Sequence, residues 1–302
     1  MSRAWVERTW KRVWMHVLRA VHPQVEVTVR GARLTVDLRD RKLGRMLYEG
    51  RDHEAALARL FEHADLLGST CLDVGANIGL HTLALSRLAG SSGHIFAFEP
   101  APRRFALLER NLRRNGVGNV TAYRAAAGDH AGTGRLAFNP RNHADNRLAA
   151  DAPAAWKRVE VPVLVIDDRL VDVAPGRVAF VKIDVQGWEC HVLRGMRATL
   201  ARNPQAVLAI EIFPAGLQEA GASGAELAQL IRDLGLRGWE FGPDRLAPMH
   251  EPWVYDLLRG AVDVVVSRDA PRLESILHRW RGGPLRPLDQ FRKGPGSAAV
   301  GA

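Results

Sequence analysis

The chain has 302 residues, room for one large domain or two small ones. Apolar residues make up 47% and charged residues 25%, the balance of a soluble globular protein rather than a disordered or fibrous one. The net charge is +9, but residues 1–20 and 271–302 each carry +4, so the 250 residues between them total only +1. A nucleic-acid groove needs a basic stripe of its own, and the charge distribution supplies none in the central part, so no nucleic-acid partner is expected.

Other classes are set aside in the same way. No run of about 18 apolar residues occurs, so no membrane span is expected. The N-terminus has no continuous apolar core of the signal-peptide kind. Two cysteines, Cys71 and Cys190, make no disulfide framework, which points to a reducing, cytoplasmic setting.

In chain order, Val6, Trp10, Val13, Trp14, Val17, Leu18 and Val21 recur at helical spacing with basic residues between them. This predicts an amphipathic helix over 1–20. Packing on its own domain or on a partner subunit is the expectation; peripheral membrane contact and a homodimer are the options it opens. VEVTVRGARLTVDLRD then alternates about Arg30-Gly31, a hairpin signal. STCLDVG reads as a buried strand, GLHTLALSRLAG as a helix ended by Gly90, HIFAFEP as a second strand and PRRFALLERNLRRNG as a second helix. VTAYRAAAG, VAFVKIDV and AVLAIEIF supply three more strands, GAELAQLIRDLG a helix, and RGWEF and VDVVVS two closing strands. The predicted limits are an extension over 1–66, a main domain over 67–270, and a basic, disordered tail over 271–302.

Strands alternating with helices imply a doubly wound α/β fold: a mostly parallel sheet of about seven strands, covered on both faces. Ligands bind such sheets at the carboxyl ends of the strands. There the sequence places CLDVGANIGLHTL. Gly75 and Gly79 allow a sharp turn and close backbone approach, with Ala76 and Asn77 between them, and the next helix aims N–H groups and a positive dipole end at the ligand. A dinucleotide site would read G-x-G-x-x-G. Here it is G-A-N-I-G after Asp73, and a carboxylate there repels pyrophosphate but suits an ammonium group. Glu99, 26 residues after Asp73, closes the second strand ahead of Pro100 and can accept from both ribose hydroxyls. S-adenosylmethionine, with an ammonium, a sulfonium and no phosphate, fits this turn better than a dinucleotide.

DVGANIG, FEP with LERNLRRNG, and VKIDVQGWECHVLRGM together resemble the FkbM-family S-adenosylmethionine-dependent methyltransferases, over roughly residues 26 to 215. The resemblance implies a Rossmann-like methyltransferase sheet and transfer to oxygen on sugars, glycans and natural products. The family's usual D-V-E-G is here Asp184-Val185-Gln186-Gly187. Gln186 is neither a base nor a strong metal ligand, so it is assigned to acceptor binding and no metal is expected.

A hydroxyl is a poor nucleophile at neutral pH, so a base beside it helps. Asp184, at the end of the fourth strand, and Glu211, near the end of the fifth, are the candidates, and Asp184 should also flank the cofactor's methionine half. His81 and His143 are further candidates for proton transfer. Ala126 completes the expected cofactor site. The polar segment FNPRNHADNRLAADAPAAW reads as a lid or acceptor clamp, with His143, Asn146 and Arg147 suited to sugar hydroxyls. A methyltransferase acting on RNA or another large anionic acceptor, a nicotinamide-dependent oxidoreductase and a non-catalytic cofactor-binding module are the competing readings.

Overall fold

A computed structural model describes residues 18–51, 53–139, 146–148, 155–242, 245–258 and 260–282. Of the expected N-terminal helix, only residues 18–20 fall among these, and they are helical. His143 lies outside the described residues.

The hairpin forms as its pattern requires: β1 (Gln24–Val29) pairs antiparallel with β2 (Ala32–Asp37). Arg30 and Gly31 both take positive φ, 47° and 77°. Such turns match the right-handed twist of the flanking strands. After α1 (Leu43–Tyr48) and α2 (Ala55–Glu62), the alternating part begins with β3 (Thr70–Val74), α3 (Leu80–Ala89), β4 (His94–Phe98), α4 (Pro102–Arg114) and β5 (Val120–Tyr123). Pro102 at the start of α4 loses nothing, because the first helical N–H has no partner in any case.

The chain then leaves the main sheet. VTAYRAAAG, expected as one strand, splits. Its first half is β5, paired with β4; its second is β6 (Ala126–Gly128), paired with a different sheet. That sheet has the order β6-β9-β7-β8, with β7 (Gly132–Phe138), β8 (Asn146–Leu148) and β9 (Lys157–Val165). Part of the segment expected as a polar loop is therefore strand.

The main sheet resumes through α5 (Ile166–Arg169) with β10 (Val178–Ile183), α6 (Glu189–Arg194), α7 (Arg197–Arg202), β11 (Val207–Ile212), α8 (Pro214–Glu219) and α9 (Gly224–Asp233). Ser223 caps α9 by accepting from the Glu226 N–H at 3.0 Å. β12 (Arg237–Gly242), β13 (Arg245–Pro248), β14 (Val262–Ser267) and α10 (Ala270–Gly282) follow. The eight strands run in the order β13-β12-β14-β11-β10-β3-β4-β5. β11, β10, β3, β4 and β5 are mutually parallel, and β14 joins β11 antiparallel. The order reverses beside β3, which is where a ligand crevice opens in such sheets.

Period-two alternation buries both faces. Leu72, Val181, Leu208, Ile210 and Val264 meet Val192, Leu193, Leu217, Leu227 and Ile231 on one side. Cys71, Phe180, Val207, Ala209 and Val265 meet Leu60, Phe61, Leu85, Leu273, Ile276 and Trp280 on the other. The hairpin closes over α3 and α4 through Leu34, Val36, Leu80, Leu83, Leu107 and Leu108. The expected tail limit at 271 moves accordingly. Residues 270–282 are a helix whose apolar side is in the core, so the folded body reaches 282.

Candidate active site

At the carboxyl ends of β3, β4 and β10 lies an open cleft. Of the expected residues, Gly75, Asn77, Glu99, Pro100, Ala126, Asn146, Asp184 and Gln186 line it, joined by Trp188 and Arg104. Asp73, Ala76, Gly79 and Arg147 do not line it and are buried beside or beneath it.

The turn is built by close approach. Gly75 has φ 84°, and a Cβ there would lie 1.9 Å from the Asp184 carbonyl oxygen. Asn77 also takes positive φ, 54°, an uncommon state for a residue with a side chain. The Arg104 guanidinium secures it, donating to Asn77 Oδ1 at 2.6 Å and to Asp40 Oδ2 at 2.7 Å. Gly75 and Ala76 N–H groups both donate to the Phe98 carbonyl, at 3.0 and 2.9 Å. The Asn77 N–H donates to Glu99 Oε2 at 2.8 Å, and the Ala101 N–H to Glu99 Oε1 at 2.8 Å. Burial pushes the Glu99 carboxyl above its usual range, against the pull of these donors and of Arg104.

This arrangement tests the cofactor. The first three N–H groups of the turn are used inside the protein, so no ring of free donors awaits a pyrophosphate. The cleft instead presents the carboxylates of Glu99 and Asp184. A nucleoside bearing hydroxyls and cationic groups fits that lining.

Asp73 lies beneath the turn rather than in the lining of the cleft. Its side chain is fully buried, takes a hydrogen bond from Thr82 Oγ1 at 2.6 Å, and faces the Lys182 ammonium 3.5 Å away. Its Oδ2 is thus engaged within the protein, while its Oδ1 has no hydrogen-bond partner. Strand register explains this: Lys182 pairs with Asp73 across β10 and β3, and Glu211 pairs with Asp263 across β11 and β14. By the alternation of strands these residues share the sheet face of Cys71, Phe180 and Ala209. At their carboxyl ends they form a row of charge, against which the start of α2 sets Glu54.

Glu54, Lys182, Asp184, Glu211 and Asp263 surround a small space of about 10 Å³, room for about one water. Asp184 lines both this space and the cleft. Lys182 Nζ donates to the Gly75 carbonyl at 3.0 Å and lies 3.6 Å from Asp184 Oδ2. Burial works against the Lys182 charge, but Asp73, Asp184 and Glu54 outweigh it and hold the pKa above the usual lysine value. Burial and the repulsion of Asp184 push the Glu211 carboxyl well above the carboxylate range. Gln186 joins the pair, its amide nitrogen donating to Asp184 Oδ1 at 2.7 Å and Glu211 Oε2 at 2.6 Å. Among the described residues no three His, Cys, Asp or Glu side chains are arranged to hold a metal ion.

The remaining candidates separate. Arg147 is buried in an ion pair with Glu219 at 2.6 Å and stands over the Phe213 ring, 5.1 Å from its centroid. Asn146, next to it, faces the cleft. His81 is packed edge-on to Phe61 and paired with Glu54 Oε2 at 2.5 Å. Glu54, Lys182 and Arg104 were not singled out in the sequence. A lysine inside the apolar run VAFVKI was a readable signal, because buried lysines need partners; Glu54 and Arg104 carry no such mark.

Residues 73–237 match the methyltransferase FkbM domain model. Methyltransferase 1 of Beauveria bassiana is 32% identical over 146 residues, covering 42% of this chain and 58% of that protein. Hexuronic acid methyltransferase AglP of Haloferax volcanii is 34% identical over 134 residues, covering 42% of this chain and 50% of that protein. This chain thus spans less than two thirds of the length of these curated relatives. The crystal structure of methyltransferase FkbM from Methylobacillus flagellatus aligns with a TM-score of 0.41 at 20% identity, covering 66% of this chain and 43% of that one. The matching family consists of methyltransferases, which sets the nicotinamide-dependent reading aside. The glycine turn, the strand-end carboxylates and the family match agree: the chain belongs to the FkbM methyltransferase family, and its cofactor is S-adenosylmethionine.

Proposed function

We propose that the protein is an O-methyltransferase acting on a hydroxyl of a sugar, glycan or natural product. The observation that carries this reading is Asp184, a carboxylate that lines both the cofactor cleft and the adjoining carboxyl-rich space. When bound, S-adenosylmethionine supplies a methyl carbon on a sulfonium, and its C–S bond breaks as the new O–C bond forms.

This chain's residues prepare that step. Gly75, Asn77, Glu99 and Pro100 hold the nucleoside end in place, and Asp184 takes the proton that the acceptor hydroxyl gives up. Alignment of the reacting atoms supplies much of the rate in such displacements, and the base about 10²–10⁴-fold. Glu211, pushed toward its protonated form, orients the acceptor by hydrogen bonding. Asn146, which lines the same cleft, offers its side-chain amide to the acceptor.

AglP is named for a hexuronic acid and another relative, from Streptomyces tacrolimicus, for 31-O-demethyl-FK506. Both names support a hydroxyl-rich acceptor here. The test is methyl-labelled S-adenosylmethionine with a panel of free sugars, hexuronic acids, polyol natural products and RNA. Label in a sugar or natural-product hydroxyl is the expected result. Label in RNA alone would overturn the acceptor class, and cofactor binding without label in any acceptor or cell-extract fraction would favour a non-catalytic module.

A further inference from the structure

We propose that Gln186 is a positioning residue that takes the place of a proton or cation between Asp184 and Glu211. What the pair then does rests on the methyl-transfer reading; the arrangement itself does not.

Both hydrogens of the one amide nitrogen are used, on Asp184 Oδ1 at 2.7 Å and on Glu211 Oε2 at 2.6 Å. Two carboxylates brought this close to a third atom must repel unless that atom is a donor or a cation. A carboxylate at position 186 would put oxygen against oxygen on both sides and so require a shared proton or a bound cation. The amide meets the same geometry with two neutral donors.

The backbone is shaped for this aim. Gln186 takes φ 55°, a conformation that costs free energy for a residue with a side chain. Glu189 Oε1 holds the turn by accepting from the Val185 N–H at 3.1 Å and the Gly187 N–H at 3.0 Å. Gly187 itself has φ 113°, and a Cβ there would lie 2.2 Å from the Gly216 backbone.

The surrounding charge makes the substitution consequential. Asp184, Glu189, Asp263 and Glu54 all press on Glu211 with negative charge. Lys182 meets Asp184 from the other side at 3.6 Å, and His53 also lies within the field of Asp184 and Lys182. Removing the two amide donors takes away a hydrogen bond that favours the ionised form of Glu211 and leaves the repulsion in place. Adding a third carboxylate makes the place a cation site.

The experiment uses the full chain without acceptor, as the parent, Gln186→Met and Gln186→Glu. Glutamate side chains labelled with ¹³C at the carboxyl are titrated by NMR, and Glu211 is assigned from Glu211→Gln. Manganese(II) binding is followed by electron paramagnetic resonance. In Gln186→Met the Glu211 midpoint should rise by about one unit or more. Gln186→Glu should bind manganese(II) at least tenfold more tightly than the parent, or show a carboxyl titrating well above the parent's Glu211. An unchanged Glu211 midpoint in Gln186→Met would overturn the proposal. So would a Gln186→Glu protein with neither a new cation site nor a raised titration. If Gln186→Met does not fold, Gln186→Glu decides alone. A parent that transfers no methyl group would sink the functional reading and leave these titrations standing.

Discussion

Lys182 and Asp73 stand opposite each other on β10 and β3, Nζ to Oδ1 at 3.5 Å, with neither side chain more than 5% exposed. The same ammonium donates to the Gly75 carbonyl and approaches Asp184, so one buried cation touches the glycine turn and the end of β10 together. Lys182→Met should therefore destabilise the fold by about 3–5 kcal/mol, the cost of stranding a buried charge. The double variant Asp73→Asn, Lys182→Met should recover most of that loss. Urea unfolding of the three proteins measures it, and no recovery would show that Asp73 is not the main partner of Lys182.

Gly75 has no room for a side chain, because its Cβ would lie 1.9 Å from the Asp184 carbonyl oxygen. Gly75→Ala should force the β3 turn and the β10 end apart. Calorimetry with S-adenosylhomocysteine should show binding weakened by at least about tenfold, or 1.4 kcal/mol, with a further loss of about 1–3 kcal/mol in stability from the positive φ. Parental affinity in this variant would remove the turn from the cofactor site.

Asp184→Asn should lower turnover by about 10²–10⁴-fold if Asp184 takes the acceptor proton. Glu211→Gln keeps a hydrogen-bonding group of the same shape and should cost less. Steady-state kinetics with the identified acceptor, alongside cofactor affinity, separates the two. A larger loss in Glu211→Gln with cofactor affinity intact would move the base to β11.

Glu189 gives a pH signature. Burial pushes its carboxyl up from 4.5 to about 7, although the Gly187 and Val185 N–H groups pull the other way. The folded protein keeps this proton where the unfolded chain has lost it, so the group's contribution to stability falls as pH rises from about 4.5 to about 7. Glu189→Gln cannot ionise and keeps an accepting oxygen. It should match the parent near pH 4.5 and exceed it at pH 8, by up to about 3 kcal/mol. Denaturant unfolding at the two pH values checks this; a difference independent of pH would contradict it.

α10 offers a test of the domain limit. Trp280 is buried against α2, and its indole N–H donates to the Ala56 carbonyl at 3.1 Å. Trp280→Ala should cost about 3–5 kcal/mol. Thermal unfolding that left the parent midpoint unchanged would return residues 270–282 to the tail.

The local parts of this protein are legible in its amino-acid order. The alternating strands and helices specified a doubly wound sheet, Gly75 with Gly79 marked its ligand turn, and Glu99 and Asp184 could be placed at strand ends. These follow from short-range rules: side-chain period, backbone freedom and helix ends. Which charges meet depends on how distant segments pack. A strand's alternation says which residues share a face, not which strand lies beside it or in what register. Lys182 lies 109 residues from Asp73, and Glu54 lies 130 from Asp184. Strand order and register, with α2 packed over that sheet face, turned Asp73 inward to Lys182 and gathered Glu54, Asp184 and Glu211 around one space. VTAYRAAAG likewise reads as one strand, because the apolar pattern runs through it without a break. It is divided between two sheets because β6 finds its partner in β9, a pairing that no pattern within the segment could specify.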